Sequence, residues 1–320
     1  MLRAYAAKRV LLFFPTMILT TVIVFGLFWV VPGDVATLIL VGAEGEDTAS
    51  LADIEELRHE LGLDRPIHIQ YSSWLWDVLR GDLGTSLWYR APVTTELRDR
   101  FMVTVELAVL AILMAFVVGV PLGIVSAVKQ DTRADYASRV FALIGVALPN
   151  FWLGVLIVSG LAAFAGWLPP LGYADLWEDP LLNLQQLVFP ALVLSFSNLG
   201  LTARITRSSM LEVLREDYVR TARAKGLREF VVLGRHTLKN ALLPVVTISG
   251  YQFAGLLGGV IIIESIFVVP GVGSWTIQSI QHRDFVVLQG VIVLGAAVIL
   301  TLNLAIDLLY GVLDPRIRYQ

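Results

Sequence analysis

Six stretches of this chain are long and apolar enough to leave water, and no other feature constrains its fold as strongly. A helix needs roughly 20 mainly apolar residues to cross the hydrocarbon layer of a membrane. The runs Val10–Val31, Leu107–Val128, Val140–Ala165, Leu187–Ala203, Ala241–Ile263 and Val286–Ile306 meet or approach that length. Lipid offers no partner to backbone N–H and C=O groups, so such runs read as helices that satisfy their own hydrogen bonds. With 56% hydrophobic and 16% charged residues among 320, the composition does not suit an ordinary water-soluble domain. Six spans place both termini on one side.

The cationic residues say which side. Arg3, Lys8 and Arg9 precede the first run, Lys129, Arg133 and Arg139 lie in and beside the 129–139 loop, and Arg316 and Arg318 end the chain. The 166–186 loop carries no Lys or Arg, and 264–285 only Arg283. Lys and Arg in short loops are retained on the cytoplasmic side, so both termini are expected in the cytoplasm. The first run exceeds the roughly 7 to 15 residues of a signal-peptide core and leads into Pro32-Gly33-Asp34 without a small-residue cleavage pattern, so it is read as a retained span. Segment 32–100, with 13 acidic and 6 basic residues, then faces outside, whereas 201–240, with 4 acidic and 9 basic, faces inside. Membrane topology accounts for that basic segment, which gives no ground for a nucleic-acid partner. The absence of cysteine excludes disulfides and thiolate chemistry.

One membrane domain, 1–320, is the expected organisation. Its spans are 10–31, 101–128, 140–165, 187–206, 241–263 and 286–311, with an extracytoplasmic insertion at 32–100 and a cytoplasmic loop at 207–240. In the insertion, Leu51, Ile54, Leu57 and Leu61 recur at helical spacing up to Gly62, and Trp74, Trp76 and Trp88 suit a membrane boundary. Pro121, Pro149, Pro190 and Pro244 interrupt spans, as in the broken helices of transporters, although membrane helices also tolerate Pro. Gly255 and Gly259 form a small-xxx-small pair suited to close helix packing. Glu106, Glu264 and Asp307 lie near span ends, where water or headgroups would solvate them. His59, His68, His236 and His282 lack the spacing of a helical metal site.

Between the fourth and fifth spans, Met210, Leu211, Leu214, Tyr218 and Ala222 share one helical stripe, with Arg215, Arg220, Arg223 and Lys225 mostly off it. This predicts an amphipathic cytoplasmic helix ended by Gly226, with Thr221, Ala222 and Ala224 small enough for another surface to approach, and a second helix over about 228–239. Such a helix suits either anionic headgroups or a groove on a cytosolic protein.

Arg220-Thr221-Ala222, Gly226 and His236-Thr237-Leu238 resemble the EAA loop of ABC importer permeases, with Arg220 and Lys239 standing where that pattern carries Glu and Pro. The resemblance is strongest to the dipeptide, oligopeptide and nickel group. It extends through Pro32-Gly33-Asp34, Leu61-Gly62-Leu63-Asp64-Arg65-Pro66, Gly81-Asp82-Leu83-Gly84-Thr85-Ser86, Leu148-Pro149-Asn150-Phe151-Trp152-Leu153-Gly154, Glu264-Ser265-Ile266-Phe267, Pro270-Gly271-Val272-Gly273 and the tail Leu313-Asp314-Pro315-Arg316-Ile317-Arg318.

The resemblance implies an all-α integral membrane protein of the type I ABC importer permease fold, in a bacterial or archaeal inner membrane. It implies a second homologous permease, two cytosolic ATPases, an extracytoplasmic substrate-binding protein and surrounding membrane lipid as partners. Peptides are the expected cargo, with nickel chelates, glutathione or oligosaccharides as alternatives. Glu216, Asp217, Tyr218, Arg220, Thr221, Ala222, Arg223, Lys225 and Gly226 would couple to the ATPase. No cofactor is expected on this chain, and ATP and Mg would be used by the partner, since the sequence lacks a G-x-x-x-x-G-K-[ST] phosphate loop. No catalytic constellation is expected either. A secondary carrier would need mid-membrane charges for ion coupling, which are scarce here.

Overall fold

The computed structural model describes residues 2–30, 37, 51–60, 62–170 and 172–313, and the statements that follow concern these residues. Pro32-Gly33-Asp34, Leu61 and the tail from Asp314 lie outside them. The helices are α1 (Leu2–Val30), α2 (Leu51–Glu60), α3 (Ile67–Leu79), α4 (Val93–Val128), α5 (Arg133–Ala147), α6 (Asn150–Ala165), α7 (Pro180–Val213) and α8 (Asp217–Ala224). Then come α9 (Glu229–Val231), a π-helical stretch Val232–Leu238, α10 (Lys239–Gly259), α11 (Ile261–Ile266), α12 (Val272–Gln281) and α13 (Phe285–Leu313).

Five helical stretches are long and apolar enough to cross a membrane: Ala6–Leu27, Val93–Val128, Pro180–Val213, Glu229–Gly258 and Phe285–Leu309. The remaining apolar run, 140–165, is not one straight helix. It is shared between α5 and α6, which meet at 96°. Pro149 crowds the residue before it out of the helical region, and Leu148 accordingly has φ −82°, ψ 127°. Pro121, Pro190 and Pro244, by contrast, lie inside α4, α7 and α10 without ending them. At 1.5 Å per residue, the 36-residue α4 and 34-residue α7 are about 54 and 51 Å long, beyond the ~30 Å hydrocarbon layer. Their polar ends therefore emerge from it.

The centre of the molecule is the pairing of α4 with α7. Leu107, Ala108 and Ala111 bury themselves against Leu187, Ala191 and Leu194, with Ile263 and Phe267 joining from above α10. Lipid removes most of the hydrophobic drive for helix association, so close packing of small residues has to supply it. A Cβ at Gly123 would stand 2.6 Å from the Ala203 carbonyl oxygen, and one at Gly145 2.5 Å from that of Phe196. The helices α4, α5 and α7 thus reach backbone contact. The expected Gly255–Gly259 contact is not supported at Gly255, where a Cβ would meet nothing within 4 Å. Instead α10 approaches α13 through Gly250 and Gly258, whose added Cβ atoms would lie 3.0 Å from Ile306 and 3.1 Å from Ile299. Outward-facing Leu11, Phe14, Ile18, Leu113 and Val117 remain exposed, as lipid-facing residues should.

The three acidic residues expected to be solvated at span ends are held by protein groups instead. Glu106 accepts from the Tyr173 hydroxyl at 2.7 Å, and that hydroxyl also accepts from Asn183 Nδ2 at 3.1 Å. Burial, aided by Glu106, pushes the Tyr173 hydroxyl well above the ordinary phenol range. Asp307 joins three helices, binding Arg9 of α1 at 2.8 Å and the Tyr251 hydroxyl of α10 at 2.9 Å. Glu264 is fully buried. It accepts from Thr104 Oγ1 at 2.7 Å and from the Ser274 N–H at 3.0 Å, because α12 folds back over α11 and closes its route to water.

A neighbouring lock ties the 81–92 segment down. Ser86 Oγ donates to Asp284 at 2.5 Å, the Trp88 N–H donates to the same carboxylate at 3.2 Å, and Trp88 stacks on His282 with centroids 3.9 Å apart. In the insertion, α3 leans on α1 through Tyr71–Thr21 (2.9 Å) and Trp74–Phe25 (centroids 5.5 Å).

Candidate coupling site

The segment from Arg207 to Gly226 does not form one amphipathic helix. Met210 and Leu211 end the long α7, the chain turns at Leu214–Glu216, and α8 starts afresh at Asp217. Glu216 takes an extended conformation (φ −68°, ψ 145°), and Asp217 sits in the first turn, where a negative side chain complements the helix dipole. The stripe drawn across this break is therefore divided. Met210 is buried, whereas Tyr218 is 41% exposed.

The buried face of α8 consists of Val219 and Ala222, which pack on Val232 with Val213 alongside. Ala222, expected to leave room for an approaching surface, in fact points inward at 5% exposure. Its small size serves the loop's own packing. Glu216, Asp217, Tyr218, Arg220, Thr221, Arg223, Lys225 and Gly226 are all exposed, forming a continuous polar face. Gly226 ends the helix at φ +74°, a left-handed conformation that disfavours other residues, although a Cβ would meet nothing within 4 Å. Its constraint is conformational rather than steric.

Polar contacts fasten this loop to the span that follows. Arg223 grips Glu229 with two bonds, Nε–Oε2 at 3.2 Å and Nη2–Oε1 at 2.7 Å, closing the turn between α8 and α9. The carboxylate keeps the Arg223 guanidinium above its ordinary value through those bonds. Arg220 pairs locally with Asp217 at 3.2 Å. Asn240 Nδ2 donates to the Tyr218 hydroxyl at 2.8 Å, joining α8 to the first turn of α10. Between them, Val232–Leu238 winds as a π-helix, with the Thr237 hydroxyl donating to the Val232 carbonyl at 3.1 Å. The π form is rare and recurs at functional sites.

Sequence reasoning missed Val219, Val232, Glu229 and Asn240. Val219 and Ala222 do stand three residues apart, as a buried face requires, and Glu216-Asp217 is a legible helix start. The π turn and the Tyr218–Asn240 bond had no sequence signal. Phe230, 86% exposed beside this face, was also missed.

A bundle of spanning helices, with an exposed polar helix fastened to the foot of one span, is the architecture of a multi-span transport subunit. The chain belongs to the family of binding-protein-dependent transport system inner membrane components, whose model matches residues 119–319, with the family's N-terminal segment matching residues 1–108. It is 40% identical over 320 residues, covering all of both chains, to a putative peptide transport system permease protein of Brucella melitensis. It is 39% identical over 339 aligned residues, 99% of both chains, to the dipeptide transport system permease protein DppB of Escherichia coli. Among solved structures, it resembles a chain of the MetNI methionine ABC transporter with a TM-score of 0.56 at 17% identity, over 68% of this chain and 96% of that one. A chain of an amino acid ABC transporter matches with a TM-score of 0.52 at 16% identity, over 70% and 94%. The protein is thus a multi-pass inner-membrane permease subunit with the ABC importer permease fold.

Proposed function

We propose that this chain forms one half of a peptide translocation path, paired with a second homologous permease and driven by two cytosolic ATPases. Its termini and the 207–240 loop lie in the cytoplasm, and an extracytoplasmic binding protein delivers the peptide to the opposite face. ATP and Mg are consumed by the ATPases, and no cofactor resides on this chain. Peptide cargo is inferred from the full-length relatives named for peptide and dipeptide transport.

The observation that carries the coupling role is the attachment of α8. Its exposed face, Glu216 to Gly226, is free to meet another protein, while its buried face and Tyr218 bind it to the π-helical stretch and to Asn240. A displacement of α8 by an ATPase is therefore passed to α10 and into the bundle. Reconstitution of the four-subunit complex with its binding protein tests this. Thr221→Arg, placed on the exposed face, should leave membrane insertion and thermal stability intact but abolish peptide uptake and weaken ATPase co-purification. Normal uptake by this variant removes α8 as the docking element.

A further inference from the structure

Between α5 and α7 lies a cavity of about 500 Å³. Beneath it, Asp135 is fully buried and accepts from Ser126 Oγ at 2.5 Å, from the Asp131 N–H at 3.1 Å, and from Arg207 Nε and Nη2, each at 3.0 Å. That carboxylate neutralises and fixes Arg207. Two further guanidinium groups line the same cavity. Arg204 has no carboxylate partner among the described residues, and Arg139 stands 4.0 Å from Asp135 with half its side chain exposed. Asp131, whose N–H binds Asp135, adds a second carboxylate near Arg207, so the three guanidinium groups still outnumber the two carboxylates.

The remaining lining is mixed, with Leu122, Ala142, Leu143 and Ala203 alongside the hydroxyls of Tyr136, Ser138 and Ser208. Val140 and Leu143 also line it and are 56% and 58% exposed, which gives the cavity an apolar, outward-facing edge. Cationic rim and apolar edge together suit an amphiphile better than a freely soluble anion. At 1.5 Å per residue, Arg139 lies about 9 Å from the start of α5 and Arg204 about 14 Å from the end of α7, so both guanidinium groups sit within three turns of a helix end. Guanidinium groups match phosphate oxygens in geometry as well as in charge.

We propose that this cavity binds the phosphate of an anionic phospholipid, held by Arg139 and Arg204 over the fixed Asp135–Arg207 pair, with its acyl chains lying along Val140 and Leu143. Its placement in the cytoplasmic leaflet rests on the topology proposed above.

The test is native mass spectrometry of the detergent-purified complex, equilibrated with equal amounts of phosphatidylglycerol and phosphatidylethanolamine. The wild type should retain phosphatidylglycerol preferentially, and Arg139→Gln with Arg204→Gln should lower retention by roughly fivefold for each cation removed. The Asp135–Arg207 pair stays untouched in this variant, and its melting temperature serves as the folding control. Should the variant fail to assemble, a photoactivatable phosphatidylglycerol on the wild type must label residues 122–143 or 203–208. Equal retention of both lipids, an unaltered preference in the variant, or labelling elsewhere overturns the proposal. Loss of dipeptide binding with unchanged lipid retention would also overturn it, giving the cavity to the transported substrate. Lipid retention in detergent is independent of orientation. Labelling of Lys129→Cys from outside the cell would instead overturn the topology and the leaflet assignment alone.

Discussion

The surroundings of Glu264 and of α8 use similar chemical groups to opposite ends. Around Glu264, a carboxylate, a hydroxyl and a backbone N–H are sealed from solvent by glycines that leave no room for a methyl group. Around α8, carboxylates, guanidinium groups and a hydroxyl lie mostly at the surface and meet only a small apolar patch. Buried polar contacts gain strength from low dielectric and are expensive to break, whereas exposed ones are weak and screened. The first region is built to hold one arrangement. The second can shift at little cost, as the coupling role proposed for α8 requires.

Substitutions should separate the two regions by the size of their effect on stability. Gly273→Ala should cost most: its Cβ would fall 2.5 Å from the Ile261 Cα, so backbone must move, and about 3 kcal/mol should appear as a lowered melting temperature of the purified complex. Glu264→Ala should follow at about 2 kcal/mol, since the Thr104 hydroxyl and the Ser274 N–H lose their shared acceptor. If either variant melts like the wild type, the Glu264 region is not the rigid one.

At the other region, Ala222→Arg should unseat α8 from Val232 and abolish coupled uptake, while the bundle's melting temperature falls by less than Gly273→Ala causes. Arg223→Gln should change stability within about 0.5 kcal/mol and reduce uptake several-fold, read as transport per ATP hydrolysed. Smallest is Tyr218→Phe, which removes one hydrogen bond to Asn240 and should leave melting unchanged with a modest fall in transport per ATP. A large loss of melting temperature in Tyr218→Phe would erase the contrast between the regions.

Sequence reading reached what lipid dictates and stopped where protein contacts take over. The apolar runs locate the spans because hydrocarbon excludes polar residues, yet they understate the helices. Residues 180–186 extend α7 beyond the apolar run with Asn183, Gln185 and Gln186 among leucines, and 207–213 belong to α7 rather than to the separate cytoplasmic helix expected there. Four prolines looked alike in sequence, but only Pro149 stands at a break, since neighbouring packing decides whether a helix tolerates the lost bond. Glu264 looked like a solvated end residue because nothing local reveals that α12 folds back over it. At the coupling site, the exposed polar residues were legible from the resemblance. The inward turn of Ala222 was hidden, because the stripe was drawn through a break that Glu216-Asp217 marks.

The π-helical stretch has one further consequence. An α-helix advances about 100° per residue, so the wider winding of Val232–Leu238 sets α9 and α10 in different angular phase. The loop behaves like a key cut at an angle to its shaft. Removing a single residue between Leu233 and His236 would turn what precedes it by about 100° relative to α10 and part Tyr218 from Asn240. Natural variation in the length of this stretch would therefore re-aim the same face toward differently placed partners.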